Sequence, residues 1–290
     1  MIYLALSILS STLIFVVFKL FERFRVTILH AIVVNYIVAC ISGLIDYKHS
    51  VSLTALPDYE WFFYTVGLGA LFILVFNLMA LTTQRSGLSV VSVATKMSVV
   101  IPVLFGFWYY KDEPHFFKIL GVCLALVAVY LTSVRSRDGI ALDRRTLLLP
   151  LLVFLGSGII DTSIKFLEDA YVAQDDVPLF SSVVFGAAAC VGVIILIVRA
   201  LRGQLRFTVR DVLGGIGLGV PNYFSIYFLV HALRSDLLDS SGIFTVNNVA
   251  IVMMSTLVGI TVFREKLLPR NWLGIILAVI SIFLVALSIF

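Results

Sequence analysis

Short polar breaks divide the chain into apolar runs of about 20 residues, the length a helix needs to cross the hydrocarbon core of a bilayer. Runs at 2–20, 27–45, 61–83, 88–110 and 116–133 precede a polar segment, 135–145, after which five more follow at 146–166, 178–198, 212–233, 242–263 and 272–290. Backbone N–H and C=O groups in hydrocarbon must be bonded within the protein, so runs of this length fold as helices. The ten of them leave no stretch of the 290 residues for a soluble domain. A content of 61% hydrophobic and 13% charged residues, with mean hydropathy +1.09, agrees. The expected fold class is therefore an all-α polytopic membrane protein of ten transmembrane helices. Met1 leads straight into the first run, with no basic n-region and no small-residue cleavage site before a polar chain, so this run is read as a retained span.

Several function classes drop out. Cys40, Cys123 and Cys190 each stand alone in an apolar run, without Cys-x-x-Cys spacing, which speaks against metal and redox chemistry. No cofactor is expected. The net charge of +4 comes without a long basic run or a basic face bearing stacking aromatics, so nucleic acid is not an expected partner. Neither a Ser-His-Asp set nor a Gly-rich phosphate loop is present in the sequence, so the chain is not expected to be an enzyme or to use ATP directly.

The two sets of five runs are related. A shift of 146 places Leu9, Ser11, Ile14, Lys19 and Glu22 on Leu155, Ser157, Ile160, Lys165 and Glu168. With a shift of 150, Gly67-Leu68-Gly69 falls on Gly217-Leu218-Gly219 and Ala39-Cys40 on Ala189-Cys190. A shift of 153 superposes Gly106 on Gly259, Lys111 on Arg264, Asp112 on Glu265 and Gly121 on Gly274. Four matches in one order point to a duplication, and a repeat with an odd number of spans must reverse its direction in the membrane. The expected organisation is a first five-helix repeat over 1–134, the linker 135–145, and an inverted second repeat over 146–290.

Five plus five helices, a first helix ending in Lys19, and an acidic residue nine before a Gly of each half's last helix (Asp112 with Gly121, Glu265 with Gly274) resemble the drug/metabolite transporter superfamily, in particular its ten-helix EamA-type transporters. The resemblance covers nearly the whole chain. It implies a central cavity between the halves, alternating access, and termini in the cytoplasm. The charges point the other way. Fifteen Lys and Arg flank the connections after spans 1, 3, 5, 7 and 9, against four (Lys48, Lys111, Lys118 and Arg234) on the opposite side. Positive residues near short loops stay in the cytoplasm, so both termini are expected outside an inner, multi-pass membrane.

Polar groups at membrane depth face a cavity or a partner. Lys96 lies near the middle of the fourth run, with Ser89 and Ser92 on the same helical face, and Pro102 is expected to bend this helix and leave the Ser98 carbonyl without a donor. Ser157, Asp161 and Lys165 form a stripe in the sixth run that matches Ser11, Phe15 and Lys19 in the first. Three readings of Asp161 stay open: a partner for Lys96 or Lys165, a carrier of a coupling proton, or a contact for a substrate amine. Asn35, Asn77, Asn222, Tyr223, Tyr227, Asn247 and Asn248 complete the candidate substrate-binding set, each with interhelical bonding as its alternative role. Pro221 is expected to interrupt the eighth run, and the shared Gly-x-Gly to draw the third and eighth together. His30 and His231, near span ends, read as solvated interface residues.

The expected function is secondary transport of a small polar metabolite, with an amino acid or similar zwitterion preferred because one deep cation accompanies one deep anion. An organic-anion or nucleotide-sugar type transporter is the nearest alternative. A membrane-embedded lipid-modifying enzyme and a non-transporting subunit or receptor are the alternatives of other classes. Expected partners are the small-molecule substrate, the lipid bilayer and a coupling proton; the sequence leaves the oligomeric state open.

Overall fold

The computed structural model describes residues 2–47, 53–110, 116–133, 144–173, 176–233 and 240–287. Its helices are α1 (Ile2–Phe24), α2 (Ile28–Asp46), α3 (Phe62–Ser86), α4 (Leu88–Met97), α5 (Val100–Phe105), α6 (Phe116–Ser133), α7 (Arg144–Tyr171), α8 (Val177–Leu201), α9 (Val209–Leu233), α10 (Ser240–Thr261) and α11 (Pro269–Leu287). A 3-10 turn spans Leu53–Asp58, and a π-helical turn, Gly106–Tyr110, continues α5. No strand occurs among the described residues. Seven stretches among them are long and apolar enough to cross a membrane, and Ile119–Thr132, Val246–Thr261 and Pro269–Leu284 are shorter apolar helices. Most of the linker 135–145, and Asp112 with it, lies outside the described residues.

The fourth run is interrupted as expected, but the free Ser98 carbonyl and the interruption at Pro221 are corrected. The fourth run is broken before its proline: α4 stops at Met97, Ser98 and Val99 form a turn, and α5 starts at Val100. The Ser98 carbonyl accepts the Ile101 N–H at 2.9 Å, so it is not left as a free acceptor. A donor one residue ahead of Pro102 replaces the bond that proline cannot make. Pro221, by contrast, lies inside α9, which runs unbroken from Val209 to Leu233. The expected interruption of the eighth run is absent.

Two compact units emerge, and each draws on both halves of the chain. The first comprises Met1–Lys19, Leu78–Ile159 and Phe224–Phe290. Within it α6 packs most extensively on α11, and α4 on α10. Gly274 makes the α6–α11 approach close, since a Cβ there would stand 2.9 Å from the Thr132 nitrogen and 3.0 Å from the Ala128 oxygen. On the same helix pair the Ser281 hydroxyl donates to the Gly121 carbonyl at 2.7 Å. Val93, Met97, Phe154, Val252 and Ala278 belong to the core of this unit.

The second unit comprises Leu20–Asn77 and Ile160–Tyr223. Its dominant pair is α2 with α8. Small residues let membrane helices approach without a hydrophobic drive, and the glycines here do so on two further contacts. A Cβ on Gly69 would meet the Ala188 nitrogen of α8 at 2.5 Å, and one on Gly219 would meet the Asn35 oxygen of α2 at 2.8 Å. Gly67 and Gly217 face open space. The Gly-x-Gly motifs therefore bind α3 to α8 and α9 to α2. They do not draw α3 and α9 to each other, which corrects that expectation.

Candidate functional site

In the first unit the site is organised around α4. Gly87 precedes it with φ +98°, a conformation open to glycine and strained for other residues. Glu265, from the connection after α10, caps the start of α4. Its Oε1 accepts the Leu88 N–H at 2.7 Å, and the Ser89 hydroxyl donates to Oε2 at 3.4 Å. Arg264, at φ +53°, turns the backbone into this position, and the Glu265 N–H donates to the Gly259 carbonyl at 2.9 Å. The carboxylate is wedged between Gly87 and Gly259, where a Cβ would come within 2.6 and 2.7 Å of its oxygens. A negative group at the positive end of α4 is the favourable arrangement for a helix dipole.

At the other end of α4, Lys96 is half-buried in its last turn, one residue before the helix stops at Met97. Ser89 and Ser92 are buried, and the Ser92 hydroxyl donates to the Ser89 carbonyl at 3.1 Å. The polar face expected of Ser89, Ser92 and Lys96 is thus divided: both serines are engaged inside the protein. Asn247 and Asn248 lie on α10, Asn247 buried with an Oδ1 that has no hydrogen-bond partner, Asn248 half-buried. Tyr227 stands in an aromatic cluster, 4.2 Å from the His231 ring and 5.5 Å from Phe228 by ring centroids. His231 is half-buried, its Nδ1 2.9 Å from the Tyr227 carbonyl. Lys19 donates to the Gln84 carbonyl at 3.5 Å.

In the second unit the structure brings two candidates together. Asn222 Nδ2 donates to Asn35 Oδ1 at 3.2 Å between α9 and α2, both side chains being buried. The Asn35 Nδ2 group has no partner, and buried polar atoms are rarely left so. Asn77 is satisfied within its own helix, donating to the Ile73 carbonyl at 2.7 Å. Tyr223 is half-buried beside Gly43. Asp161 and Lys165 are exposed on α7, while Ser157 on the same stripe, in the first unit, is buried.

His30 corrects its expectation. It is only 3% exposed, and its Nδ1 lies 3.0 Å from Asp211 Oδ2. Asp211 is fully buried and also accepts the Thr27 N–H at 2.7 Å and the Thr208 N–H at 2.9 Å. One carboxylate ties the first turns of α2 and α9, and Phe207 stacks on the histidine at 5.0 Å. Sequence reasoning missed Asp211, although Thr208-x-x-Asp211 carries the spacing of a helix-start capping pair. Asp211→Asn is expected to cost about 2 kcal/mol, the scale of a buried charged hydrogen bond, because it weakens two backbone contacts and the histidine contact together. Unfolding in detergent, with His30→Gln as the companion variant, measures this; an unchanged midpoint would reject the tie.

The candidate residues do not line the large cavity of the first unit. That cavity, of about 860 Å³, lies between α1, α10 and α11, and its lining is apolar apart from Thr256 and the Trp272 indole.

Helices of this length and hydropathy, repeated along the chain, define a multi-pass, all-helical membrane protein. Residues 1–134 match the EamA-like transporter family. The N-terminal half is thus similar to that family, a likeness that points to a membrane transporter. An uncharacterized protein of Haemophilus influenzae is 29% identical over 293 residues, covering 97% of this chain and 96% of its own length. A solved crystal structure with 13% sequence identity superposes with a TM-score of 0.60 over 97% of each chain; at that identity the likeness is one of fold.

Proposed function

We propose that the protein is a secondary transporter for a small polar metabolite, built from two inverted five-helix repeats and working by alternating access. The observation that carries this reading is that helices pack on their own repeat mates: α2 on α8, α4 on α10 and α6 on α11. The shifts of 150 and 153 connect these same pairs. Two-fold related elements meet in this way at an axis between them. The glycine contacts support it: Gly69 on Ala188 corresponds to Gly219 on Val38, and Gly274 near Ala128 corresponds to Gly121 bonded to Ser281. Inverted repeats of this kind carry substrate sites near the bilayer midplane, beside interrupted helices.

The residues proposed for substrate binding are, in the first unit, Lys96 at the α4–α5 break, Tyr227, Asn247 and Asn248, and, in the second, Asp161, the Asn35–Asn222 pair, Asn77 and Tyr223. Asp161 and Lys165 are exposed within Leu147–Leu167, a stretch apolar enough to span the membrane. An exposed charge at that depth is far less costly against water than against lipid, which favours an aqueous cavity there. Asn35 Nδ2 in the second unit and Asn247 Oδ1 in the first are each buried without a hydrogen-bond partner, and each is a polar group that a ligand would satisfy. A cation, an anion and neutral amides suit a zwitterion such as an amino acid.

Uptake into proteoliposomes tests the reading, across amino acids, organic acids and nucleotide sugars, with and without a pH gradient. Amino-acid flux is expected; flux of organic acids or nucleotide sugars alone would move the assignment to those classes, and flux of none would reject transport. Asp161→Asn is expected to leave flux that no longer follows the pH gradient. A stability loss shared with Lys165→Met, with gradient dependence kept, would make the two a structural pair instead.

The proposed orientation has both termini outside, following the excess of Lys and Arg on the side opposite to them. A C-terminal alkaline phosphatase fusion in a bacterial host is expected to be active and a C-terminal green fluorescent protein dark. The reverse pair of results would overturn this orientation and move the basic connections out of the cytoplasm.

A further inference from the structure

We propose that the groove between α1, α10 and α11 is a binding site for an anionic phospholipid, one acyl chain lying in the groove and the phosphate resting on the connection between α10 and α11. The groove has the volume of a ligand cleft, about 860 Å³. Ile8 and Leu9 of α1, Met253 and Leu257 of α10, and Trp272 and Ile276 of α11 are among its lining residues. Leu9, Met253, Leu257, Trp272 and Ile276 are all exposed, so the wall is open to its surroundings. On α10 it runs from Ala250 to Ile260, ten residues or about 15 Å at helical rise. This is half of a hydrocarbon core about 30 Å thick, the depth of one leaflet.

What selects an anionic lipid is the charge at one end. Ile260 is four residues before Arg264, and Trp272 two after Arg270, so the groove ends beside that connection. Of its charged residues, Arg264 and Lys266 are exposed and Arg270 is half-exposed. The acidic member, Glu265, is turned inward and held by the Leu88 N–H and the Ser89 hydroxyl. The outward charge is therefore positive, next to an apolar trough one leaflet deep. An indole at the lining, Trp272, sits where aromatic side chains favour the headgroup boundary. Thr256, which also lines the groove, has a buried hydroxyl with no partner.

Trp272 reports the occupant. The full chain is reconstituted in phosphatidylcholine vesicles with equal fractions of acyl-brominated phosphatidylglycerol or acyl-brominated phosphatidylcholine, and tryptophan quenching is compared. Stronger quenching by the brominated phosphatidylglycerol is expected, with the excess lost in Trp272→Phe. The relative association constant should fall about fivefold for each charge removed in Lys266→Gln and Arg270→Gln, and the excess should shrink as salt is raised. Equal quenching by both lipids in the unaltered protein would reduce the groove to ordinary bilayer contact. Quenching of Trp272 by neither would mean that a second copy or another protein covers it, and either result overturns the proposal.

Discussion

Lys96→Ala is expected to lower flux of the transported substrate by about 100-fold or more, while the protein remains folded and inserted. The magnitude is that of losing one charged hydrogen bond to a ligand in a low-dielectric site, near 3 kcal/mol. The position supports a ligand role over an anchoring one. Lys96 lies in the last turn of α4, just before the turn at Ser98 and Val99 that separates it from α5. The turn between α4 and α5 sets the ammonium beside an interruption of the helix, the setting of a midplane site. The competing role is local: a cation at a helix C-terminus offsets the dipole, worth about 0.3 to 1 kcal/mol. That role predicts a small stability loss in Lys96→Ala and near-normal flux, with both restored by Lys96→Arg. The site reading predicts normal stability in both variants and poor flux in both, because a guanidinium does not occupy the volume of an ammonium. Uptake in proteoliposomes and unfolding in detergent, measured on the same preparations, separate the two.

The parts legible in the sequence are those that hydrophobic length controls. Helix positions for all ten runs were readable because a bilayer forces a backbone of that length into one local structure. The resemblance to the EamA-type transporters was readable from Asp112, Glu265 and the glycines that follow each, and residues 1–134, which hold the first of these pairs, match that family. Legibility fails where a side chain chooses among partners on distant helices. His30 and Asp211 are 181 residues apart in the chain, and nothing in either neighbourhood announces the other. Glu265 reaches back 177 residues to Leu88, so its role in starting α4 is visible only in three dimensions. The prolines mislead for a related reason. Their missing N–H marks where a helix can be interrupted, while neighbouring bonds decide whether it is: the Ser98 carbonyl finds the Ile101 N–H, and α9 tolerates Pro221 without a break. Asn35 and Asn222 are candidates in the sequence as single residues, and only packing reveals that one uses the other's amide.

Gly87→Ala is expected to destabilise the protein by about 3 kcal/mol, because two costs combine at one methyl group. At φ +98° and ψ 170° the backbone occupies a region essentially reserved for glycine, worth about 1 to 3 kcal/mol for any other residue. The new Cβ would also stand 2.6 Å from Glu265 Oε1, which is itself bonded to the next amide, Leu88. Moving the carboxylate aside would uncap α4, adding about 1 kcal/mol. Gly259→Ala separates these contributions. Its Cβ would come 2.7 Å from the other oxygen of the same carboxylate, yet Gly259 lies within α10 and not at a positive φ, so only the cap is at stake and a loss near 1 kcal/mol is expected. The order Gly87→Ala well above Gly259→Ala, measured by unfolding in detergent, supports a strained entry to α4 held by Glu265. Equal losses would assign the effect to crowding alone. No loss in either would mean that the carboxylate swings away freely and that α4 starts without it. Because α4 carries Lys96 at its far end, Gly87→Ala should also reduce flux, whereas Lys96→Ala should reduce flux with stability intact.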